Sequence, residues 1–160
     1  MGETPPDKIP DHPNMLLPPP LIFLSALAVG LLLQHVLPID WLPASWTGWI
    51  GGVLVAIAAA ITVWGARALR AARTGIFPHQ ATTAIVQTGP YRVSRNPLYL
   101  SMIPLGVGIA ALCNALWVLL MLVPMVLVLQ IGVIRREEAY LDRKFGNDYR
   151  AYRARVRRWL

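Results

Sequence analysis

Gly89-Pro90-Tyr91-Arg92-Val93-Ser94-Arg95-Asn96-Pro97-Leu98-Tyr99 separates two strongly apolar halves of the chain. Pro90 and Pro97 fix their own φ angles and disfavour helix in the residue before them, so the stretch is predicted to be irregular but well defined. It combines two arginines with two tyrosine hydroxyls beside an apolar span. The segment Arg135-Arg136-Glu137-Glu138 follows the last apolar run. We predict that these two polar stretches form one site.

The composition is that of a membrane protein. Of the 160 residues, 56% are hydrophobic and 14% are charged, with a mean hydropathy of +0.50, whereas soluble domains carry about 25% charged residues. The net charge is +7, and nine of the fifteen lysines and arginines lie between Arg135 and Arg158. Basic segments bind nucleic acid or anionic membrane surfaces, and the apolar runs favour membrane lipids over nucleic acid as partner. A single cysteine, Cys113, excludes an intrachain disulfide and a cysteine-cluster metal site, and we predict no metal.

Four apolar runs predict an all-α polytopic membrane protein with four transmembrane helices. The predicted spans are about Pro20–Leu37, Thr47–Leu69, Leu98–Leu112 and Ala115–Ile134. The first has about 18 residues, which at 1.5 Å per residue is just enough to cross a bilayer. The third is shorter and contains Pro104, so we expect a kink in it. The last two spans are predicted to form a hairpin over residues 98–134.

The polar segments define the remaining organisation. Residues 1–14 contain four prolines and are predicted to be a flexible tail, and residues 15–73 carry the first two spans. Residues 74–97 are too polar to span and too long for a simple turn, which predicts a structured loop. From Arg135 onward, apolar residues recur at helical spacing between arginines. This pattern predicts an amphipathic helix at the membrane interface, broken or capped around Gly146.

The distribution of cations predicts the orientation in the membrane. Five arginines lie between positions 67 and 95, and nine cations follow the fourth span, whereas residues 38–46 and 113–114 carry none. By the positive-inside rule, both termini and the 74–97 loop are expected to be cytoplasmic. We expect the protein in a bacterial inner membrane, with its site on the cytoplasmic side.

The sequence resembles the isoprenylcysteine carboxyl methyltransferase family, which shares its C-terminal core with membrane phospholipid N-methyltransferases. The resemblance covers residues 74–160. The matching positions are Gly89-Pro90-Tyr91, Arg95-Asn96-Pro97-Leu98-Tyr99, Glu137-Glu138, Leu141, Phe145-Gly146, Tyr149, Tyr152 and residues 156–160. Residues 74–160 are accordingly expected to be a methyltransferase core made of the loop, the hairpin and the C-terminal helix.

The resemblance implies a membrane enzyme that uses S-adenosyl-L-methionine and releases S-adenosyl-L-homocysteine. Arg95 and Asn96 are the implied catalytic residues, and Arg95, Arg135 and Arg136 are the implied substrate-binding residues. Glu137, rather than Glu138, is expected to bind the cofactor through a ribose hydroxyl or the amino group. The implied cofactor-binding residues are Thr83, Ala84, Ile85, Val86, Gly89, Tyr91, Asn96, Pro97, Leu98, Tyr99 and Glu137.

Three positions depart from the family pattern. Eukaryotic carboxyl methyltransferases of the family have histidine where this chain has Thr83 and Asn96, and asparagine cannot titrate near neutral pH. Val133 falls where those enzymes have a substrate-side arginine, and Arg135 or Arg136 is expected to replace it. These departures concern the acceptor substrate more than the cofactor site.

The predicted reaction is carboxyl O-methylation of a lipophilic, isoprenylcysteine-like compound. A carboxylate is already ionised, so it needs orientation and exclusion of water rather than a general base. Phospholipid N-methylation and small-thiol S-methylation are the next candidates, and both require removal of a proton, for which His79 is the nearby candidate. A sterol-reductase-like enzyme using NADPH and a non-enzymatic membrane scaffold are also compatible with the sequence. Failure to bind the methyl donor would favour these two functions.

Overall fold

A computed structural model of the chain describes residues 17–75 and 82–159. The predicted tail (residues 1–14) and His79 lie outside the described residues. The helices are α1 (Pro19–Val36), α2 (Ala44–Ala71), α3 (Pro97–Leu112), α4 (Leu116–Leu129), α5 (Arg135–Phe145) and α6 (Asn147–Arg155). A 3₁₀ turn covers Gly89–Arg92, and a π-helical segment covers Gln130–Ile134. Within the described ranges no residue belongs to a β-strand, so the all-α prediction is confirmed for them.

Three helical stretches are long and apolar enough to cross a membrane. They are Pro19–Val36, Ala44–Ala71 and the continuous helical stretch Leu116–Phe145, with mean hydropathies of 1.7, 2.0 and 2.6. The fourth apolar helix, Pro97–Leu112, has 16 residues, which is about 24 Å at 1.5 Å per residue and short for a bilayer of about 30 Å. The chain is therefore an integral membrane protein, and a fourth crossing by α3 stays a prediction.

Prolines determine where several helices begin. Pro19 and Pro20 open α1, and Pro97 opens α3; proline is favoured in the first helical turn, where the missing N–H would have no helical partner. Inside α3 and α4, Pro104 and Pro124 do not end the helices. The starts of α1 and α3 could therefore be predicted from these prolines and from the apolar runs that follow them.

Small residues allow α2 and α3 to cross closely. Gly51 and Gly108 face each other, because a Cβ added at Gly51 would lie 2.8 Å from the Gly108 carbonyl oxygen, and a Cβ added at Gly108 would lie 3.0 Å from the Gly51 carbonyl oxygen. In the second helix pair, α1 packs on α4, where a Cβ added at Gly30 would lie 2.7 Å from the Cα of Val118. Backbone-to-backbone packing of this kind is how helices associate in membranes.

The Gly51–Gly108 crossing supplies a first test of the fold. Gly51→Val is expected to destabilise the protein by about 1–3 kcal/mol, because the new side chain must displace the α3 backbone. The matched control is Gly52→Val, since an added Cβ at Gly52 meets nothing within 4 Å. The free energies of unfolding are compared in detergent. Equal destabilisation by both variants would contradict the crossing described here.

The C-terminal third differs from the prediction in one respect. The fourth span was expected to end near Ile134 and to be followed by a separate amphipathic helix, but α4 continues through the π-helical segment into α5 without interruption. The helix ends at Gly146, around which a break or cap was expected. Gly146 has φ +53°, a left-handed conformation that glycine adopts without steric cost. The chain then turns into α6 and a non-helical end, Val156–Trp159, so the C-terminal region folds back onto the site.

Candidate active site

A cavity of about 560 Å³ lies at the end of the bundle where α1 begins and α2 ends. This volume is in the range of small-molecule sites. Helices α1, α2 and α3 supply most of the apolar part of its wall. The 82–99 segment, α5 and α6 supply most of the polar part. The apolar lining comprises Pro19, Pro20, Phe23, Leu24, Ala66, Leu69, Leu98, Met102, Leu105 and Leu141. The polar lining includes Tyr91, Arg95, Asn96, Tyr99, Glu137, Glu138, Tyr149 and Tyr152.

Glu137 is bound to the phenol of Tyr99. The Tyr99 hydroxyl donates to Oε2 of Glu137 at 3.0 Å, and both side chains line the cavity. Tyr99 lies in the first turn of α3 and Glu137 in the first turn of α5. The hydrogen bond therefore joins the two polar stretches that the sequence analysis predicted to form one site.

Glu138 lies between two arginines. Arg95 Nη1 is 3.0 Å from Oε1 of Glu138, and Arg158 donates to both carboxylate oxygens, at 2.8 Å from Nε and 2.6 Å from Nη2. The side chains of Glu138 and Arg95 are 10% and 9% exposed, and that of Arg158 is 28% exposed. The hydrogen bond to Glu138 also raises the pKa of Arg158 above its ordinary value. A buried carboxylate must be paired and hydrogen-bonded to be tolerated, and the two arginines supply that pairing.

The end of the chain is held against the turn that precedes α3. The backbone N–H of Arg95 donates to the carbonyl of Arg157 at 3.0 Å, and the Ser94 hydroxyl donates to the carbonyl of Arg158 at 3.0 Å. The side-chain amide of Asn96 donates to the same Arg158 carbonyl at 3.4 Å. Trp159 Nε1 donates to the side-chain oxygen of Gln130 in the π-helical segment at 3.2 Å. Residues 157–159 therefore belong structurally to the site.

Three tyrosines at the polar end of the cavity stay protonated. The Tyr152 hydroxyl donates to the carbonyl of Tyr91 at 2.7 Å, and Arg95 Nη1 donates to the Tyr149 hydroxyl at 3.2 Å. Burial raises the pKa of Tyr91 far above its ordinary value, and the nearby charge of Glu137 raises it further. Burial is also the main reason why the pKa values of Tyr149 and Tyr152 are raised. These phenols are therefore neutral hydrogen-bond donors rather than bases at neutral pH.

Eight of the eleven residues predicted to bind cofactor line the cavity: Ala84, Ile85, Val86, Tyr91, Asn96, Leu98, Tyr99 and Glu137. The other three are close to it in the chain but belong to its supporting structure. Thr83 is exposed and hydrogen-bonds with the Thr74 hydroxyl and the Arg73 carbonyl. Gly89 packs against Trp64, and Pro97 is buried at the start of α3.

The three predicted substrate-binding arginines are not brought together. Arg95 lines the cavity, whereas Arg135 and Arg136 are exposed at the start of α5 and do not contribute to the lining. Val133, which stands where the resemblance expects an arginine, is fully buried. Arg95 is consequently the cation that the structure places in the wall of this cavity among the described residues.

Sequence reasoning missed several residues that shape the site. It noted Arg158 only as part of a terminal pattern, and it did not assign a role to Thr62 or Ser101, which line the cavity and share a hydrogen bond of 2.9 Å. Tyr149 and Tyr152 were recognised as matching positions, but not as cavity-lining residues. No local signal separates Arg158 from the neighbouring arginines, because its distinction is a contact with a residue 20 positions away.

The comparison with known proteins agrees with this architecture. The profile of the phospholipid methyltransferase family matches residues 46–148, which is more than half of the chain. The chain belongs to the phospholipid methyltransferase family. The predicted resemblance to the membrane methyltransferase families is thereby confirmed.

One curated relative is similar over a short stretch. A protein of Haemophilus influenzae (strain ATCC 51907 / DSM 11121 / KW20 / Rd), described as an uncharacterized protein, is 54% identical over 35 residues. These residues are 22% of this chain and 56% of that protein, so the match spans about half the length of the relative. No solved structure matches the chain.

Proposed function

We propose that this family member transfers a methyl group from S-adenosyl-L-methionine to a lipophilic acceptor inside the 560 Å³ cavity. The observation that supports this best is the combination, in one cavity, of an apolar wall made by α1, α2 and α3 with the Arg95–Glu138 and Tyr99–Glu137 pairs. The apolar part suits a lipid chain, and the polar part suits a charged donor and a charged acceptor group. Convergent polar groups in an otherwise apolar pocket are typical of ligand sites.

The residues at the polar end fit the proposed cofactor. When bound, S-adenosyl-L-methionine supplies an electrophilic methyl group on a sulfonium, which passes to the acceptor and leaves a neutral thioether. Glu137 provides a carboxylate for the amino group or a ribose hydroxyl, and Tyr91 offers an aromatic face. The backbone of Ala84–Val86 and the Asn96–Tyr99 turn would hold the remaining parts. Their contribution is orientation and exclusion of water from the reacting groups.

Entry from the bilayer would explain why some cavity-lining residues are also exposed. Pro20, Leu24 and Thr62 line the cavity and are exposed, with Leu24 at 56%. Pro20 and Leu24 belong to α1 and Thr62 belongs to α2, so the cavity reaches the lipid-facing surface beside both helices. We propose that the acceptor enters there, with its polar group leading toward Arg95. In this arrangement α3 completes a bundle of four membrane helices, and residues 74–160 form the methyltransferase core.

The first proposed acceptor is a carboxylate of an isoprenylcysteine-like compound, held by Arg95. Among the described residues, no histidine, lysine or cysteine lines the cavity, and Tyr91 and Tyr152 are held protonated. The carboxylates of the lining are already engaged, Glu137 by the Tyr99 hydroxyl and Glu138 by two arginines. A carboxylate acceptor suits such a site, because it is already deprotonated. Arg95 would orient it by a charge-assisted hydrogen bond, and Asn96 would contribute a neutral hydrogen bond.

Phospholipid amine methylation is the second candidate, and the family profile favours it. A phosphoethanolamine headgroup carries a phosphate, which would pair with Arg95. This acceptor must lose a proton before it can attack, so the rate should rise with pH until the amine is neutral. A carboxylate acceptor predicts no such rise above the pKa of a carboxyl group.

Calorimetric titration of the detergent-purified protein with S-adenosylhomocysteine tests the cofactor. We expect saturable one-site binding, and no comparable binding of NADPH. Methyl transfer from labelled S-adenosylmethionine is then measured with a farnesylcysteine-type carboxylate and with phosphatidylethanolamine vesicles. Folded protein that does not bind S-adenosylhomocysteine would refute the proposal, and binding of NADPH alone would favour a reductase. Labelling of phosphatidylethanolamine but not of the carboxylate would replace the first acceptor by the second.

A further inference from the structure

The charges around Glu138 do not cancel. One carboxylate is bound by two guanidinium groups, those of Arg95 and Arg158. Arg95 and Glu138 line the cavity, whereas Arg158 does not. The pair inside the cavity wall is neutral by itself, so the cluster carries a net positive charge because of Arg158. Glu137 is a second carboxylate of the cavity wall, so Arg158, which does not touch the cavity, offsets one of the two negative charges there.

Arg158 binds the Glu138 carboxylate more completely than Arg95 does. Arg158 donates to both oxygens, at 2.8 Å and 2.6 Å, whereas Arg95 approaches Oε1 alone, at 3.0 Å. Two parallel N–H···O bonds are the stronger arrangement of an arginine and a carboxylate. Arg95, by contrast, divides Nη1 between Glu138 and the Tyr149 hydroxyl. Its charge is consequently the less completely compensated of the two, and interactions are stronger in a poorly solvated site than in water.

We propose that Arg158 is a specificity-determining positioning residue. By taking up the charge of Glu138, it leaves the charge of Arg95 available for an oxyanion of the ligand, either a carboxylate or a phosphate. This inference rests on the proposed function and identifies the role of a residue outside the cavity. The oxyanion belongs either to the amino-acid part of the cofactor or to the acceptor lipid, and the two sources are separable by experiment.

The effect of the Arg158 side chain is separable from the docking of the chain end. The carbonyl groups of Arg157 and Arg158 accept hydrogen bonds from Arg95 N, the Ser94 hydroxyl and the Asn96 amide. These bonds use backbone acceptors, which remain when only the Arg158 side chain is changed. Arg158→Gln therefore removes the charge while keeping the backbone anchors. Arg158→Lys keeps the charge but cannot form the same two-pronged contact.

The test compares Arg158→Gln, Arg158→Lys, the double variant Glu138→Gln/Arg158→Gln and the control Arg153→Gln. The control removes one positive charge from an exposed position on α6. Binding of S-adenosylhomocysteine and of 5′-methylthioadenosine is measured by calorimetry, since the second compound lacks the amino-acid part. The KM and kcat of methyl transfer are measured with the carboxylate and phospholipid acceptors. Thermal unfolding identifies variants that do not fold.

We expect Arg158→Gln to weaken the oxyanion-bearing ligand about tenfold, a modest part of the cost of disturbing a buried charge cluster. If the oxyanion belongs to the cofactor, the affinity for S-adenosylhomocysteine falls while that for 5′-methylthioadenosine does not. If it belongs to the acceptor, KM rises with little change in kcat or in cofactor affinity. Arg158→Lys should restore much of the loss, and the double variant should bind better than Arg158→Gln because Arg95 regains its charge.

Several outcomes would overturn the inference. Equal behaviour of Arg158→Gln and Arg153→Gln would show that Arg158 has no special role. Equal weakening of both nucleosides, or a double variant no better than Arg158→Gln, would reduce Arg158 to a structural contact. If Arg158→Gln does not fold, Arg158→Lys and the double variant are compared with the unmodified protein in the same binding and kinetic measurements. Ligand binding and KM unchanged in Arg158→Lys would then overturn the inference. Absence of cofactor binding by the unmodified protein would instead refute the proposed function.

Discussion

Replacing Glu137 by alanine should weaken binding of S-adenosylhomocysteine by about 10- to 150-fold, which corresponds to about 1.5–3 kcal/mol for a hydrogen bond to a charged group. The carboxylate lines the cavity, and its Oε2 accepts the Tyr99 hydroxyl at 3.0 Å. Its second oxygen, Oε1, is therefore the better placed to meet a ligand. The measurement is calorimetric titration of each purified variant. Methyl transfer should fall in parallel, because the loss concerns the donor.

Three companion variants sharpen this prediction. Tyr99→Phe keeps the ring and removes the hydroxyl, so it should weaken the cofactor less than Glu137→Ala does. Asp40→Asn removes an exposed carboxylate from the segment between α1 and α2 and should leave binding unchanged. The neighbouring Glu138 is engaged by two arginines, so Glu138→Gln should affect the cofactor less than Glu137→Ala. The reverse order would assign the cofactor to Glu138.

The helices of the first two-thirds of the chain could be predicted from sequence because their signals are local. The predicted limits of the first three spans lie within three residues of α1, α2 and α3. Proline at the helix starts and long apolar runs determine these limits within a few residues of the chain. The chain turns between the last two apolar runs at Cys113-Asn114, where Asn114 has φ +46°. No tertiary information was needed for any of them.

The C-terminal third depends on contacts that no local pattern encodes. Hydropathy falls sharply at Arg135, which predicted the end of a span, yet the backbone stays helical through Phe145. A change of side-chain polarity does not interrupt the hydrogen bonds of a helix, so composition and backbone diverge at this point. The π-helical segment Gln130–Ile134 leaves no periodic signature in a run that is apolar apart from Gln130. Its Gln130 is met by Trp159, a partner 29 positions away.

At the site, too, the local motifs could be predicted from sequence, whereas contacts between distant residues could not. The motif around Arg95 and the paired glutamates identified both polar stretches, and the Tyr99–Glu137 bond joins them. The partner of Glu138 could not be chosen from sequence, because several arginines follow it and each is a plausible neighbour. In the folded protein Arg158 binds the Glu138 carboxylate, because the end of the chain folds back onto the site.

Replacing Glu138 by alanine should be the most destabilising change at this site. It leaves the guanidinium of Arg95, whose side chain is 9% exposed, without its counter-charge. Breaking a buried ion pair by removing one partner costs about 3–5 kcal/mol. We expect the lower end of this range, because Arg158 is 28% exposed and can regain water. The measurement is the free energy of unfolding in detergent, followed by the helical signal.

Asp142→Ala is the matched control for that prediction. Asp142 lies on the same helix, α5, and is bound by Arg150 of α6 at 2.9 Å, but these side chains are 33% and 63% exposed. Exposed ion pairs contribute little to stability because water replaces the lost partner. Asp142→Ala should therefore unfold at nearly the same point as the unmodified protein. If both variants were equally destabilised, the loss of any ion pair of α5, rather than the buried charge left on Arg95, would account for the effect.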